Sequence, residues 1–155
     1  MNIELVAAGT KPPAWLVDGY DEYIKRLPRD WQFDLREVAV AKRSRSTNIA
    51  RLKQQEGERI LAAIKPNARI IALDSDGEIW STEQLAAKIS QWRNDYPLVQ
   101  LIVGGPDGLD DACLERADDV WSLSRLTFPH FIVRLMIVEQ VYRAWSIVNN
   151  HPYHK

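Results

Sequence analysis

Two short and almost uninterrupted apolar runs constrain the fold of this chain more than any other feature. They are RIIALD, residues 69–74, and LVQLIV, residues 98–103. Such runs are typical of strands that are buried on both faces, as in parallel sheets with helices on both sides. Helical patterns alternate with strand patterns along the rest of the chain. The sequence therefore predicts an α/β fold with a mainly parallel sheet flanked by helices.

Hydrophobic periodicity and punctuation by proline and glycine divide the chain into ten elements. The turn Ser75-Asp76-Gly77 is predicted to close the third strand, and Ser81-Thr82-Glu83-Gln84 forms a capping box that opens a helix. Thr47 or Asn48 is the expected cap of the helix before it. Strands are predicted at residues 3–8, 33–40, 69–74, 98–103 and 120–126, and helices at residues 12–27, 49–64, 81–94, 109–117 and 130–148.

Length and composition bound the class of protein. A chain of 155 residues suits a single domain, so one domain over residues 1–155 is expected. The one cysteine, Cys113, excludes an intramolecular disulfide framework. The first residues, MNIELVAAGTKPPAW, lack the basic start and apolar run of a signal peptide, and no stretch has the length of a membrane span. A cytoplasmic protein without membrane association is the expectation.

The charges are distributed unevenly although the net charge is −1. Residues 25–53 hold nine Lys or Arg against three acidic residues, whereas residues 107–119 hold six acidic residues against one Arg. A neutral protein with one basic end can bind a polyanion there. Two solvated surfaces without a partner are the alternative interpretation.

The stretch LIVGGPDGL, residues 101–109, predicts a ligand site where a strand runs into a glycine turn. Gly104, Gly105 and Gly108 allow close approach of the backbone to a ligand. The pattern is neither G-x-G-x-x-G nor a P-loop, and the acidic residues after it would repel a pyrophosphate. S-adenosylmethionine, with a sulfonium and no phosphate, fits better, and a tight turn without ligand is the alternative. In a parallel sheet this turn should lie beside Asp74.

The C-terminal third of the chain contains three further signals. The stretch WSLSRLTFPHFIVR, residues 121–134, contains a loop that offers backbone polar groups beside apolar side chains, which suits an adenine ring. The last helix is apolar almost all the way round, which predicts burial against a second copy in a homodimer. Glu139 and Arg143 are spaced for an ion pair, in a local or a functional role. The tail NHPYHK, residues 150–155, suits contact with a base and phosphate more than zinc, so no metal is expected.

Several of these stretches occur together in one known family. LIVGGPDGL, SLSxLTFPHxxVR, EQxYRAWSI and the ending NHPYH, with LVAAGTKPPAW near the start, resemble the ribosomal RNA large-subunit methyltransferase H family of the SPOUT class. The resemblance extends over the whole chain. It implies an α/β knot with a C-terminal trefoil knot, an exception to unknotted topology, and a homodimer. It also implies methylation of N3 of a pseudouridine in 23S ribosomal RNA, with S-adenosylmethionine as donor, on assembled ribosomes.

The resemblance also assigns the methyl donor to particular positions. Arg125 is the member of the assigned loop that fits the motif least, so a contribution through its backbone is expected. The positions that should contact the donor are Leu73, Gly104, Leu123, Ser124, Arg125, Leu126, Thr127 and Phe128.

For the chemistry on the base, Arg143, Tyr153 and His154 are the predicted catalytic residues. They would orient the base and favour its N3 anion, and the tail of one subunit could complete the pocket of the other. For His130 and Arg134 the sequence does not distinguish a structural role from a functional one. It identifies no general base. RNA phosphates would be held by Lys11, Lys25, Arg26, Arg29, Lys42, Arg43 and Arg45.

Two competing interpretations remain at this level. A non-catalytic factor that binds ribosomes or RNA would share the basic surface and lack donor binding. A Rossmann-like or flavodoxin-like nucleotide enzyme would share the α/β pattern, although its phosphate fingerprint is missing.

Overall fold

The arrangement of the chain follows from five parallel strands joined by helices, seen in a computed structural model that describes residues 1–44, 46 and 48–155. The strands are β1 (Asn2–Ala8), β2 (Gln32–Val38), β3 (Ala68–Ile79), β4 (Leu98–Val103) and β5 (Asp119–Ser122). The helices are α1 (Ala14–Ile24), α2 (Ile49–Ala63), α3 (Thr82–Asp95), α4 (Asp111–Arg116) and α5 (His130–Val148), followed by a 3₁₀ turn at Pro152–His154.

The strand order separates this sheet from the common doubly wound folds. All four neighbouring pairs are parallel, and the order is β2-β1-β4-β3-β5. A flavodoxin-like sheet has the order 2-1-3-4-5, and a Rossmann sheet has 3-2-1-4-5-6. The structure therefore confirms a parallel α/β fold and excludes the Rossmann-like and flavodoxin-like alternatives.

The central strands are apolar throughout because both of their faces are covered. Ile71 and Leu73 of β3 point into a core with α1, α3 and α5, whereas Ile70 and Ala72 point into a second core with α2 and α4. The first core is rich in aromatic side chains and includes Trp80, Trp92 and Trp121. This arrangement is the three-layer solution that continuous apolar strands require.

The predicted caps of α2 and α3 agree with the structure, whereas α1 and α4 each begin two residues later than predicted. Ser81 and Gln84 form the capping box, with hydrogen bonds in both directions. The Asn48 side chain accepts hydrogen bonds from the backbone of Ala50 and Arg51, so Asn48 caps α2. Thr47, the alternative cap, lies outside the described residues.

Two predicted strand ends are wrong. β3 does not end at Asp74 but continues to Ile79, because both Leu73 and Glu78 pair with Trp121 of β5 and residues 74–77 bulge outward between them. A Cβ atom at Gly77 would lie 2.7 Å from the Val120 carbonyl oxygen, so the bulge needs glycine there.

β5 ends at Ser122 rather than at Leu126. The Ser122 hydroxyl donates to the carbonyl of Ser124 (2.9 Å), and the Leu126 N–H donates to the Ser124 hydroxyl (3.0 Å). These local bonds replace the strand pairing of this segment with a bend. The apolar alternation over residues 120–126 therefore continues beyond the strand and into a loop.

Helix α5 obtains much of its cover within the same chain. It packs between α1 and α3, and none of its residues is fully exposed. The expectation that a second copy must cover this helix is therefore weakened for its central part. Exposed apolar side chains occur instead on α1, where Trp15 is 60% and Val17 is 41% exposed.

Candidate active site

A cavity of about 430 Å³ opens at the carboxyl ends of β3, β4 and β5. Its walls are the glycine turn after β4, the bulge of β3 and the loop that joins β5 to α5. Ligands bind at this edge of open α/β sheets, and the volume suits a nucleoside-sized ligand. The predicted neighbourhood of Asp74 and Gly104 is confirmed, since both line the cavity.

The glycine turn forms a wall made of backbone. A Cβ atom on Gly104 would lie 2.6 Å from the Leu109 amide nitrogen and closer still to the backbone of Gly108. The Gly108 N–H donates to the Gly105 carbonyl (3.0 Å), and Gly108 has a positive φ of 83°. The turn is therefore tightly closed, and Gly104 leaves no room for a side chain.

Seven of the eight positions predicted to contact the donor line this cavity. Arg125 is the exception: its side chain is exposed and does not contribute to the wall. The hydroxyl of Ser124 shapes the loop through its bond to the Leu126 N–H. The positions that line the cavity are Leu73, Gly104, Leu123, Ser124, Leu126, Thr127 and Phe128.

Some lining residues were missed at the sequence level. Trp121 lies at the inner end of the cavity and stacks on Trp80, with ring centroids 5.2 Å apart. Lys53 reaches the cavity from α2, which lies far from the glycine turn in sequence. Neither residue belongs to a local pattern, because both come to the site only through the packing of the sheet and helices.

The charges around the cavity suit a cationic ligand. Asp74, Asp76 and Asp107 line it, against the single lysine Lys53. Carboxylates at the wall disfavour a pyrophosphate and are compatible with a sulfonium. The residues present thus fit S-adenosylmethionine in volume, in close-approach backbone and in charge. Within the described residues, no group of three or more His, Cys, Asp or Glu side chains could hold a metal ion.

Arg134 has a structural environment. It is buried, and its guanidinium donates to the carbonyls of Ala8 (3.0 Å) and Gly9 (2.8 Å) and pairs with Glu37 (2.8 Å). Burial lowers its pKa, while the bond to Glu37 opposes that change. Arg134 therefore anchors the end of β1, and both of its terminal nitrogens are engaged in these contacts.

His130 lies on the cavity wall at the start of α5. Burial lowers its pKa, and the nearby cations Arg134 and Arg43 lower it further. Its imidazole is therefore neutral at pH 7, since the ordinary value already lies below neutrality. A neutral ring at this position adds no positive charge that would repel a sulfonium.

The predicted catalytic residues Arg143 and Tyr153 belong to a polar cluster centred on Glu139. Arg143 Nε and the Tyr153 hydroxyl both donate to Glu139 Oε1, at 2.9 Å and 3.0 Å. The Arg143 guanidinium lies over the Tyr153 ring, 4.8 Å from its centroid, and the Tyr23 hydroxyl lies 3.3 Å from that of Tyr153. The predicted Glu139–Arg143 ion pair is confirmed.

The cluster keeps Tyr153 protonated. Burial raises the pKa of its phenol, and its bonds to Tyr23 and Glu139 raise it further. The bond to Glu139 raises the pKa of Arg143, so this guanidinium stays charged. The third predicted residue, His154, is bonded through Nδ1 to the His151 carbonyl oxygen (2.6 Å). The cluster thus offers a fixed cation and a phenol donor, but no base of its own.

Within the chain the cavity and the polar cluster lie far apart. α5 begins at His130 beside the cavity and carries Arg143 thirteen residues later, which is about 20 Å along a helix. The tail that holds Tyr153 and His154 folds back at the same far end. A methyl group in the cavity is therefore out of reach of these residues in the same chain.

The basic stretch is also divided by the fold. Arg43 bonds to Asp107 of the glycine turn, and Lys53 lines the cavity, so this half lies at the carboxyl edge of the sheet. Arg26, paired with Glu22, lies at the C-terminal end of α1 near the opposite edge. Lys25 and Arg29 flank it, Lys11 and Lys42 lie in loops after β1 and β2, and Arg45 lies outside the described residues.

Comparison with known proteins identifies the lineage of the chain. Residues 1–154 match a family described as "Predicted SPOUT methyltransferase". Proteins named "Ribosomal RNA large subunit methyltransferase H" are 50% identical in Methylococcus capsulatus and in Marinomonas sp., and 51% identical in Saccharophagus degradans, each over 100% of both chains. This chain therefore belongs to the ribosomal RNA large subunit methyltransferase H family of SPOUT methyltransferases.

Proposed function

We propose that the protein transfers a methyl group from S-adenosylmethionine to N3 of a pseudouridine in 23S ribosomal RNA, on assembled ribosomes in the cytoplasm. The observation that carries the proposal is the glycine-walled cavity at the carboxyl edge of the sheet, in a chain of this family. The proposal includes a single domain over residues 1–155 and a C-terminal trefoil knot, both implied by the family resemblance. S-adenosylmethionine, when bound, supplies a methyl group activated by a sulfonium.

Different walls of the cavity would contact different parts of the donor. The glycine turn and the loop at residues 123–128 offer backbone polar groups beside apolar side chains, which suits an adenine ring. Asp74 and Asp76 in the β3 bulge face the same space and favour a cationic ligand. Arg125, whose side chain is exposed, would contribute through its backbone. A wall held in this way fixes the direction from which a nucleophile can approach.

The acceptor nitrogen carries a proton that must leave before or during attack. A fixed cation beside the base favours the anion that results, and Arg143 is held for this role by Glu139. Tyr153 stays protonated, so it does not accept the proton. Its hydroxyl, which donates to Glu139 in the single chain, would turn to donate to the base. His154 is the third predicted contact to the RNA. Solvent can take the proton, since a strong base is not needed for an imide.

The separation of cavity and cluster supports a homodimer with composite sites. An apolar groove of about 190 Å³ lies between α1 and the first half of α5, lined mainly by Leu16, Val17, Tyr20, Phe131 and Leu135. The exposed Trp15 lies beside it on α1. We propose that a second copy of this chain covers this surface. The far end of α5 and the tail of that copy would then bring its Arg143, Tyr153 and His154 to the cavity.

The RNA surface is proposed to be small because the ribosome presents the substrate. Residues on both edges of the sheet, led by Lys42 and Lys53 near the cavity and Arg29 at the far end, would contact phosphates. Shape rather than base contacts would select the site. Poor activity on free RNA follows from this arrangement.

The first test is transfer of a labelled methyl group from S-adenosylmethionine to 70S ribosomes that lack the native modification, with free 23S RNA in parallel. Digestion and mass spectrometry locate the product. Methyl on one pseudouridine, seen only with ribosomes, is the expected result. Equal reaction of free RNA would contradict the ribosome requirement. If the protein neither transfers the methyl group nor binds the donor, the result would favour a non-catalytic ribosome-binding factor.

The composite site has a separate test by complementation between subunits. The Gly104→Ala variant disables the cavity, and the Arg143→Ala variant disables the cluster. Mixed and refolded together, they should regain about a quarter of wild-type activity, because random pairing gives half heterodimers and each heterodimer has one intact composite site. A mixture as inactive as its two components would contradict composite sites.

A further inference from the structure

The side chain of Arg43 joins three parts of the molecule that lie far apart in sequence. Its Nη1 donates to Glu56 Oε1 of α2 (3.1 Å), and its Nε and Nη2 donate to Asp107 Oδ2 of the glycine turn (3.1 Å and 2.7 Å). Arg43 itself belongs to the loop between β2 and α2. A planar guanidinium is suited to such fixed contacts with two carboxylates.

Glu56 lies directly behind the glycine turn. Its side chain is almost fully buried, and its Oε1 also accepts the Ala41 N–H (3.0 Å). Its Oε2 has no hydrogen-bond partner among the described residues. A Cβ atom at Gly105 would lie only 2.7 Å from that oxygen. The carboxylate therefore fills the space behind Gly105 and leaves room only for glycine.

This arrangement is costly and needs an explanation. A buried carboxylate is tolerated when a cation and hydrogen bonds compensate its lost hydration. Arg43 supplies that cation, and its other edge is directed at Asp107, which lines the donor cavity. The Arg43 guanidinium thus holds the turn through Asp107, and it lies beside Glu56 on the same side of Gly105. The cation also offsets the charge of a carboxylate that would otherwise turn freely at the cavity.

We propose that Arg43 is a positioning residue that, held by Glu56, keeps the glycine turn in its donor-binding conformation through Asp107. The inference rests on the proposed function, since it assumes that the cavity binds S-adenosylmethionine. It differs from the sequence-based expectation, in which Arg43 held an RNA phosphate. With both edges of its guanidinium engaged by carboxylates, Arg43 has little capacity left for such a contact.

The test uses Asp107→Asn, which removes the charge from the link to the turn and leaves the Arg43–Glu56 pair intact. Binding of S-adenosylhomocysteine to the full-length protein is measured by calorimetry, because this probe lacks the sulfonium that a carboxylate could attract directly. The dissociation constant should rise about tenfold, as expected when a charge-assisted contact is lost. The melting temperature without ligand should stay within about 3 °C.

A matched control and a second variant separate positioning from other roles. Asp30→Asn breaks an exposed Asp–Arg pair of similar length (3.0 Å to Arg93) and should leave probe binding unchanged. Arg43→Lys keeps a cation for Glu56 but loses the fork toward Asp107. If Asp107 contacted the ligand directly, freeing it in this way would maintain or strengthen binding of S-adenosylmethionine. Positioning predicts weaker binding for both Arg43→Lys and Asp107→Asn.

Each result decides the matter. If the wild-type protein binds S-adenosylhomocysteine and Asp107→Asn binds it equally well, the positioning role is overturned while the proposed function stands. A fall in melting temperature that accounts for the lost affinity would make the link merely structural and would also overturn it. No binding of the probe by the wild-type protein would overturn the proposed function, and this inference with it.

Discussion

The two ends of helix α5 carry sites that are built in opposite ways. At its start, the donor cavity is walled largely by backbone: a glycine turn, a strand bulge and a loop. At its end, the cluster around Glu139 consists of side chains that bind one another, with Arg143, Tyr153 and Tyr23 in contact. The first site can surround a whole ligand molecule with backbone polar groups and apolar side chains, and Asp74, Asp76 and Asp107 lie on its wall. The second presents one cation and one phenol in fixed orientation.

This difference predicts which substitutions should weaken donor binding and which should lower the rate of methyl transfer. Backbone walls are sensitive to added volume, because nothing in the turn can move aside. The side-chain cluster is sensitive to lost charge and lost hydrogen bonds, because its groups act at a distance of a few ångströms. Substitutions at the two ends should therefore separate cleanly into donor-binding and rate effects.

Arg143→Ala should give the largest effect. The loss of a fixed cation beside the forming anion should lower kcat on ribosomes by about 100- to 1,000-fold. The dissociation constant for S-adenosylhomocysteine should be unchanged, since Arg143 is proposed to contact the base and not the donor. Arg143→Lys, which keeps the charge and loses the two-bond contact with Glu139, should be intermediate. Equal losses in donor binding and rate would contradict the separation of the two sites.

Among substitutions that add one methyl group at the cavity, Gly104→Ala should weaken donor binding most. The added Cβ atom would collide with the backbone of Gly108 and Leu109, so the dissociation constant for the donor should rise by about tenfold or more. Calorimetry measures it, with circular dichroism as a check on folding. In Gly19→Ala the new atom would be 3.4 Å from Leu135, an ordinary contact, and donor binding should be unaffected. Similar donor affinities in Gly104→Ala and Gly19→Ala would contradict the proposed steric collision at Gly104.

Tyr153→Phe should lower kcat about tenfold through loss of one hydrogen bond. The ring beneath Arg143 remains. Burial raises the pKa of this phenol, so it does not act as the base, and the shape of the rate–pH profile between about pH 6.5 and 9.5 should be the same in both proteins. An alkaline inflection that disappears in the variant would assign the proton to Tyr153 instead.

Acidification should have the smallest effect, and only on the cavity. Because the pKa of His130 is lowered by burial and by Arg134 and Arg43, its ring becomes charged at a lower pH than a free imidazole does. That charge would repel a sulfonium, so S-adenosylmethionine should bind about threefold more weakly at pH 5.5 than at pH 7.5. His130→Asn should flatten the dependence. Binding of the neutral thioether S-adenosylhomocysteine should depend less on pH. An identical pH dependence for both ligands would contradict repulsion between His130 and the sulfonium.

Where local chemistry decides an element, the sequence was a reliable guide. The capping box at Ser81, the Asn48 cap and the span of α5 are set by nearest neighbours along the chain, and all three agree with the structure. The predicted end of β3 at Asp74 was wrong because a turn signal cannot tell a chain reversal from a bulge. Only pairing of Glu78 with Trp121 on β5 distinguishes the two.

The same limit applies to the site. The glycine turn and the loop at residues 123–128 are contiguous motifs, and the sequence brought both to the cavity edge. Arg43 was assigned to RNA because it stands in a basic run. Its two carboxylate partners lie 13 and 64 residues away and are invisible to local patterns.

The sequence by itself determined the α/β class, the parallel sheet, the helix caps and the glycine turn, because each depends on periodicity or on contacts between near neighbours. It also carried the family, through motifs that lie together in order. Only the tertiary structure decided the strand order β2-β1-β4-β3-β5, the distance between cavity and polar cluster, and the Arg43 link. Those features depend on which buried surfaces meet. Apolar strands of similar composition can exchange places in a sheet without any change in the pattern of their residues.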